Sequence, residues 1–275
     1  MTGIPHITTP RLSMPKLGLG TYGLVGRDGQ AAVESALALG YRHLDTAEMY
    51  GNEEIVGAAI RASGLPREEI FVTTKVWWDH LTPEAIRAAS AASLDRLGLD
   101  HVDLYHIHWP APEMDLAAAL AALAALLAEG RTRAIGVCNF PPGLLRAALA
   151  TGVPLAALQV EYHALLDQSA LLSLCHAHGL VLTAYSPLAK GRLAEEPTLA
   201  RIGARHGATA SQVALAWLLR QEGVAAIPKA QRPESQRANL AALAVPLDAA
   251  DLAAIAALPK DRRFVNPSFA PDWAA

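Results

Sequence analysis

The chain has 275 residues, 52% hydrophobic and 18% charged, and a net charge of −3. That make-up suits a folded protein with a large core, and the lack of any dense Lys/Arg block excludes an electrostatic footprint for nucleic acid. The longest apolar run, residues 116–128, falls short of the roughly 20 residues that span a bilayer, so no membrane segment is expected and the partner is a small molecule.

In chain order, the start MTGIPHITTP is neither basic nor apolar, which predicts no secretory signal. A short hairpin is expected around Ser13-Met14-Pro15. Runs of β-branched and aliphatic residues then predict strands at 16–20, 43–46, 70–75, 102–108, 133–137, 157–160, 180–185 and 225–228. Between them, leucine and alanine at helical spacing predict helices at 29–39, 53–63, 83–97, 115–129, 142–150, 168–178, 209–221 and 234–243. Asn52 is expected to cap the second helix, and Thr82-Pro83-Glu84 starts the third with proline where its missing N–H costs nothing. Gly98, Gly130 and Gly179 follow helical runs as stop signals. Residues 259–275 make a tail containing proline and aromatics. Cys138 and Cys175 have no paired spacing, as in a reduced cytoplasmic chain without a disulfide framework.

Eight strands alternating with eight helices, with no linker, predict one domain over residues 1–275. The fold class is α/β: a (β/α)8 TIM barrel with a short N-terminal hairpin and a C-terminal tail over the mouth. In such barrels the chemistry sits where strands end. The polar groups there are Thr21 and Tyr22, Asp45 and Tyr50, Lys75, His108, Cys138 and Asn139, Gln159, Tyr185 and Ser186, and Lys229.

Singly, each has an ordinary structural reading. A strand-end lysine is usually solvated, an Asp before Thr stabilises a turn, and a lone tyrosine packs with its hydroxyl in water. Together they form a chemical unit. A tyrosine hydroxyl holds a proton at neutral pH and gives it to a carbonyl oxygen becoming an alkoxide, while a lysine cation lowers its pKa and a carboxylate holds the lysine. A histidine opposite orients the carbonyl. Two alternatives remain open. His106 and His108 form an H-x-H that, with Asp45, suits a metal-dependent barrel hydrolase, although Lys75 would repel a divalent cation. A non-catalytic binding protein built on the same barrel is the other.

GYRHLDTAEMYGNEEIVG, TTKVW, DLYHIHWP, GVCNF, AYSPLAKG and IPKAQRPESQRANL resemble, in order over nearly the whole chain, the signatures of the aldo-keto reductase family. The ending DRRFVNPSFAPDW is most similar to its bacterial 2,5-diketo-D-gluconate and methylglyoxal reductase branch. The resemblance implies a catalytic tetrad on Tyr50, Asp45, Lys75 and His108, and no metal. It implies cofactor contacts at Gly20, Thr21, Tyr22, Asp45, Cys138, Asn139, Gln159, Tyr185, Ser186, Leu188, Lys229, Arg232 and Asn239. NADPH is the expected cofactor, with NADH possible, since Ala230 and Ser235 replace the serine and arginine expected beside Lys229. Substrate contacts are expected from Tyr50, Trp77, His108 and Trp109, with Tyr22 and Trp78 as further wall, the tail 264–273 as a lid and Glu48 disfavouring anions. The implied protein is a cytoplasmic monomer that reduces small aldehydes, 2-oxoaldehydes or keto sugars.

Overall fold

The computed structural model describes residues 3–274; Met1, Thr2 and Ala275, at the ends of the expected domain, lie outside the described residues. The chain opens with an antiparallel hairpin, β1 (His6–Thr9) and β2 (Leu12–Pro15). Thr9 pairs with Leu12, so the turn falls at Pro10–Arg11, earlier than expected. Ser13-Met14-Pro15 belong to β2 because Met14 is needed inside: Ile7, Leu12 and Met14 close the base of the barrel against Phe71, Leu104 and Val181.

Eight strands follow: β3 (Leu19–Gly20), β4 (His43–Asp45), β5 (Phe71–Val76), β6 (Leu104–Ile107), β7 (Ile135–Cys138), β8 (Leu155–Glu161), β9 (Val181–Tyr185) and β10 (Val224–Ala226). They are parallel and neighbours in chain order. The sheet closes on itself, for Leu17 bridges Ala226 and Gly20 bridges Lys229, with the Ala226 N–H donating to the Lys16 carbonyl at 2.8 Å. The expected barrel is therefore present, its strand ends shifted by a few residues. Strand β8 is buried at every position, so its polar residues Gln159 and Glu161 are enclosed along with the apolar ones.

Among the described residues, ten α-helices surround the barrel: α1 (Gly26–Ala38), α2 (Glu53–Ser63), α3 (Pro83–Leu97), α4 (Leu116–Ala128), α5 (Pro142–Ala150), α6 (Ser169–His178), α7 (Pro197–His206), α8 (Ala210–Arg220), α9 (Pro233–Ala241) and α10 (Ala249–Ala256). Thr82 caps α3 by accepting the Ala85 N–H at 3.2 Å, and Gly98 and Gly179 end α3 and α6 in the left-handed region. Helices α7 and α10 were not expected. Both are short, at 10 and 8 residues, and bury Leu199, Ile202 and Gly203 on one and Asp251 and Ile255 on the other. Their caps are clear: Glu196 accepts the Leu199 N–H, and Asp248 and Asp251 form a capping box. Asp251 also accepts from Arg205 at 2.8 Å and His206 at 2.7 Å, tying the two helices together.

Asn52 stands at the N-cap of α2 but makes no cap bond. Its side chain instead accepts from the Thr46 hydroxyl at 2.7 Å and donates to the Thr21 and Leu24 carbonyls at 2.8 and 3.0 Å, which lock the loops after β3 and β4 to each other. Across α2 and α3, a Cβ on Gly57 would lie 2.0 Å from the Leu97 carbonyl oxygen. Gly57→Ala must therefore push the helices apart. The expected outcome is a loss of about 1–3 kcal/mol, read as a lower denaturant midpoint.

Candidate active site

Asp45 ends β4 and pairs in register with Thr73; Lys75 lies two residues further along β5, on the same face. Its ammonium reaches back to donate to Asp45 Oδ1 at 2.5 Å and to the Thr46 carbonyl at 2.7 Å. Both side chains are essentially without solvent contact. Gln159, inward on β8, donates to the other Asp45 oxygen at 2.8 Å. The carboxylate is thus held from two directions, which is what a charge inside a barrel requires.

Tyr50 sits above this pair on a 3-10 turn, Glu48–Tyr50, closed by Gly51 at φ 61°. The Lys75 ammonium is 5.3 Å from the centre of its ring. Edge-to-face contacts with Tyr22 (5.1 Å) and His108 (5.6 Å) fix the phenol between two walls. His108 follows β6 and also meets Trp77 edge to face at 5.0 Å. The four residues expected to act together do come together.

Their protonation departs from the simple expectation that lysine lowers the tyrosine pKa. Burial raises the Tyr50 pKa to about 12, outweighing the opposing pull of Lys75, so the phenol holds its proton. Burial alone would lower the Lys75 pKa, but Asp45, Tyr50 and Cys138 together hold it above the ordinary lysine value. Burial and the Lys75 charge push His108 well below the usual histidine range, leaving a neutral imidazole.

Asp45, Tyr50 and His108 line a cavity of about 1060 Å³, while Lys75 is buried behind its wall. Of the expected residues, Gly20, Thr21, Tyr22, Asp45, Tyr50, Trp77, His108, Trp109, Asn139, Gln159, Tyr185, Ser186, Leu188 and Lys229 are on its wall. The Asn139 amide donates to the His108 carbonyl at 2.9 Å and accepts from the Tyr185 hydroxyl at 2.8 Å. Asn139, Ser186, Ala189 and Lys190 all have positive φ without being glycine, an uncommon backbone concentrated around one cavity.

Other expected residues are placed elsewhere. Cys138 is fully buried off the wall, its thiol 3.2 Å from His106 Nδ1, because the last residue of β7 turns into the barrel while Asn139 turns to the cavity. Asn239 is buried in α9, and Arg232 is the exposed N-cap of that helix; neither lines the cavity. Trp78 is off the wall as well and stacks on Phe269 at 5.1 Å. Glu48 does not face the cavity: it accepts from the Trp77 N–H and from His80 Nδ1 at 3.1 Å. His106 is fully buried in the barrel interior, off the cavity wall.

Sequence reasoning missed Met49, Lys190 and Gly191, whereas Val265, Asn266 and Pro267 belong to the tail expected over the mouth. Only the Lys-Gly pair after β9 carried a local signal, a glycine at a turn. Phe269 lines the cavity and meets Trp77 and Trp109 edge to face at 5.4 and 5.6 Å, so the tail is part of the wall.

A closed parallel barrel with this mouth belongs to a known class. The sequence profile described as "Aldo/keto reductase family" matches residues 16–260, and the chain belongs to that family. It is 42% identical to an aldo-keto reductase of Mycobacterium sp. (strain KMS), over 90% of each chain. It is 39% identical to methylglyoxal reductase DkgB of Escherichia coli O157:H7, over 95% of this chain and 100% of that one. Among solved structures, one ascribed to 2,5-diketo-D-gluconic acid reductase B superposes with a TM-score of 0.96 at 38% identity, covering 99% of this chain and 98% of that one.

The buried histidines set the acid stability. Burial lowers the His43 pKa to about 4, and His106 and His108 lie well below the ordinary value for the same first reason. Below the unfolded pKa of about 6.5 the unfolded chain takes up protons that the folded chain refuses, so stability is full above that pH and falls as pH drops toward 4. With three such groups the slope approaches about 4 kcal/mol per pH unit. Urea titrations at stepped pH measure it; a flat profile between pH 6.5 and 4.5 is the contrary result.

Proposed function

We propose that this chain is an NADPH-dependent reductase of small aldehydes, 2-oxoaldehydes or keto sugars, with Tyr50 as general acid. The observation that carries this reading is the buried Lys75–Asp45 pair beside a protonated Tyr50 that lines a cavity walled also by Asn139, Gln159 and Tyr185. The cavity fits a nicotinamide cofactor. It offers two side-chain amides, an aromatic ring and two cations, Lys190 and Lys229, along one wall. When bound, the cofactor supplies the hydride.

The chain's own residues supply the rest. Tyr50 donates its proton to the carbonyl oxygen as negative charge develops there, and Lys75 stabilises the phenolate left behind. Asp45, fixed by Gln159, keeps Lys75 charged. Neutral His108 offers a hydrogen bond that orients the carbonyl. Trp77, Trp109 and Phe269 wall the substrate side and exclude water. Relatives named as methylglyoxal reductase and 2,5-diketo-D-gluconic acid reductase B support the substrate class.

For NADPH over NADH, the support is Lys229 on the wall and Arg232 at the start of α9, a helix whose N-terminus carries no side-chain cap and so presents free N–H groups to an anion. We read the chain as one catalytic domain acting as a cytoplasmic monomer, in keeping with two buried free thiols. The hydrolase alternative has little support, because Lys75 and Gln159 occupy both Asp45 oxygens and Cys138 engages His106.

Tyr50→Phe is expected to lower kcat by roughly a hundred- to ten-thousand-fold while cofactor still binds, read by following 340 nm absorbance with methylglyoxal alongside a fluorescence titration. Turnover near the parent level would place the acid elsewhere. Comparing kcat/KM for the two cofactors is expected to favour NADPH by about tenfold or more, the worth of one charged hydrogen bond; a clear NADH preference overturns that part.

A further inference from the structure

We infer that Glu161 is a positioning residue whose buried carboxylate clamps the C-terminal tail against the barrel and so completes the substrate side of the cavity. This rests on the reductase reading above for its kinetic assay only.

Glu161 ends β8, two residues beyond Gln159 and therefore on the same face of the strand. It is fully buried. Three donors converge on it: the Phe264 N–H at 2.8 Å and His163 Nε2 at 3.0 Å on one oxygen, and the Val265 N–H at 2.9 Å on the other. The tautomer of His163 follows from its surroundings, since Nδ1 accepts the Leu165 N–H at 3.2 Å and the proton must sit on Nε2.

Nothing about the stability of the barrel requires this arrangement. A strand end that only had to close the sheet would bury an apolar residue at lower desolvation cost, whereas a buried carboxylate is tolerable only because it has donors to hold. Two of those donors are backbone groups of a segment more than a hundred residues away, so the side chains of that segment need not be specified for the bond to form. The same segment carries Phe264, Val265, Asn266, Pro267 and Phe269 to the cavity wall. Phe269 then fills the space beside Trp77 and Trp109, facing His108 across one indole. Strand β8 thus serves both sides of the site: Gln159 steadies Asp45 beneath the substrate and Glu161 steadies the wall beside it.

Glu161→Gln is nearly isosteric, yet its amide has one accepting oxygen and turns an NH2 toward a backbone N–H. The expected result is about a tenfold rise in KM for the carbonyl, the effect of losing one charged hydrogen bond, with kcat and cofactor affinity near the parent values. Trypsin should also cut faster after Arg262 and Arg263, read by mass spectrometry. Val265→Pro removes one donor from the tail and leaves the carboxylate in place; since Val265 is itself on the wall, it is read by tryptic cleavage alone, and faster cutting is expected even if Glu161→Gln does not fold. Because both changes break one bond, their combination should be no worse than either alone. An unchanged KM, a tail as resistant to trypsin as the parent's, or a parallel loss of kcat, carbonyl KM and cofactor affinity overturns the inference. Should the parent reduce no carbonyl at all, the reductase reading fails, and the proteolysis still judges the clamp.

Discussion

The site depends on one buried ion pair, Lys75 with Asp45, in the mouth of a closed barrel. A lysine without solvent contact keeps its charge only if its protons are accepted, and here Asp45 and the Thr46 carbonyl accept two of them within 2.7 Å. Register decides this: Asp45 faces Thr73 on the next strand, so Lys75, one inward step further on, reaches back over it. The charge then works on whatever lies above, which is the Tyr50 hydroxyl. Burial on its own would make that phenol a poor acid, and the cation opposes that effect.

Keeping a charge there makes the barrel interior unusually polar. His106 and Thr183 each keep a buried polar atom with no hydrogen-bond partner among the described residues, and Gly136 leaves room for the His106 ring, since a Cβ there would lie 2.5 Å from Nε2. The histidines stay neutral because solvent is excluded and Lys75 is near. The chain thus accepts a cost in stability to hold a preorganised mouth, a common trade at functional sites.

The loops apply the same economy of contacts. Asn52 gives up its helix cap to bind three groups of the neighbouring loops, and Glu48 turns from the cavity to hold the chain at Trp77. Around the cavity the backbone is placed in left-handed conformations at Asn139, Ser186 and Lys190, which only tight surroundings maintain.

Local pattern was enough to specify the barrel and the four residues Asp45, Tyr50, Lys75 and His108. The alternation of strand and helix is written in short-range periodicity, and polar residues at strand ends must converge once the sheet closes. Helices α7 and α10 escaped because they lie outside that strand–helix alternation, and both are short. Tertiary structure alone decided which side chains face the cavity. Cys138 turns inward to His106, Asn239 lies buried in its helix, and the tail becomes a wall through Glu161, 103 residues from Phe264. Such contacts depend on register and loop path over long separations, and the sign of the Tyr50 shift depends on how much water the folded mouth excludes. Neither quantity is carried by any short stretch of chain.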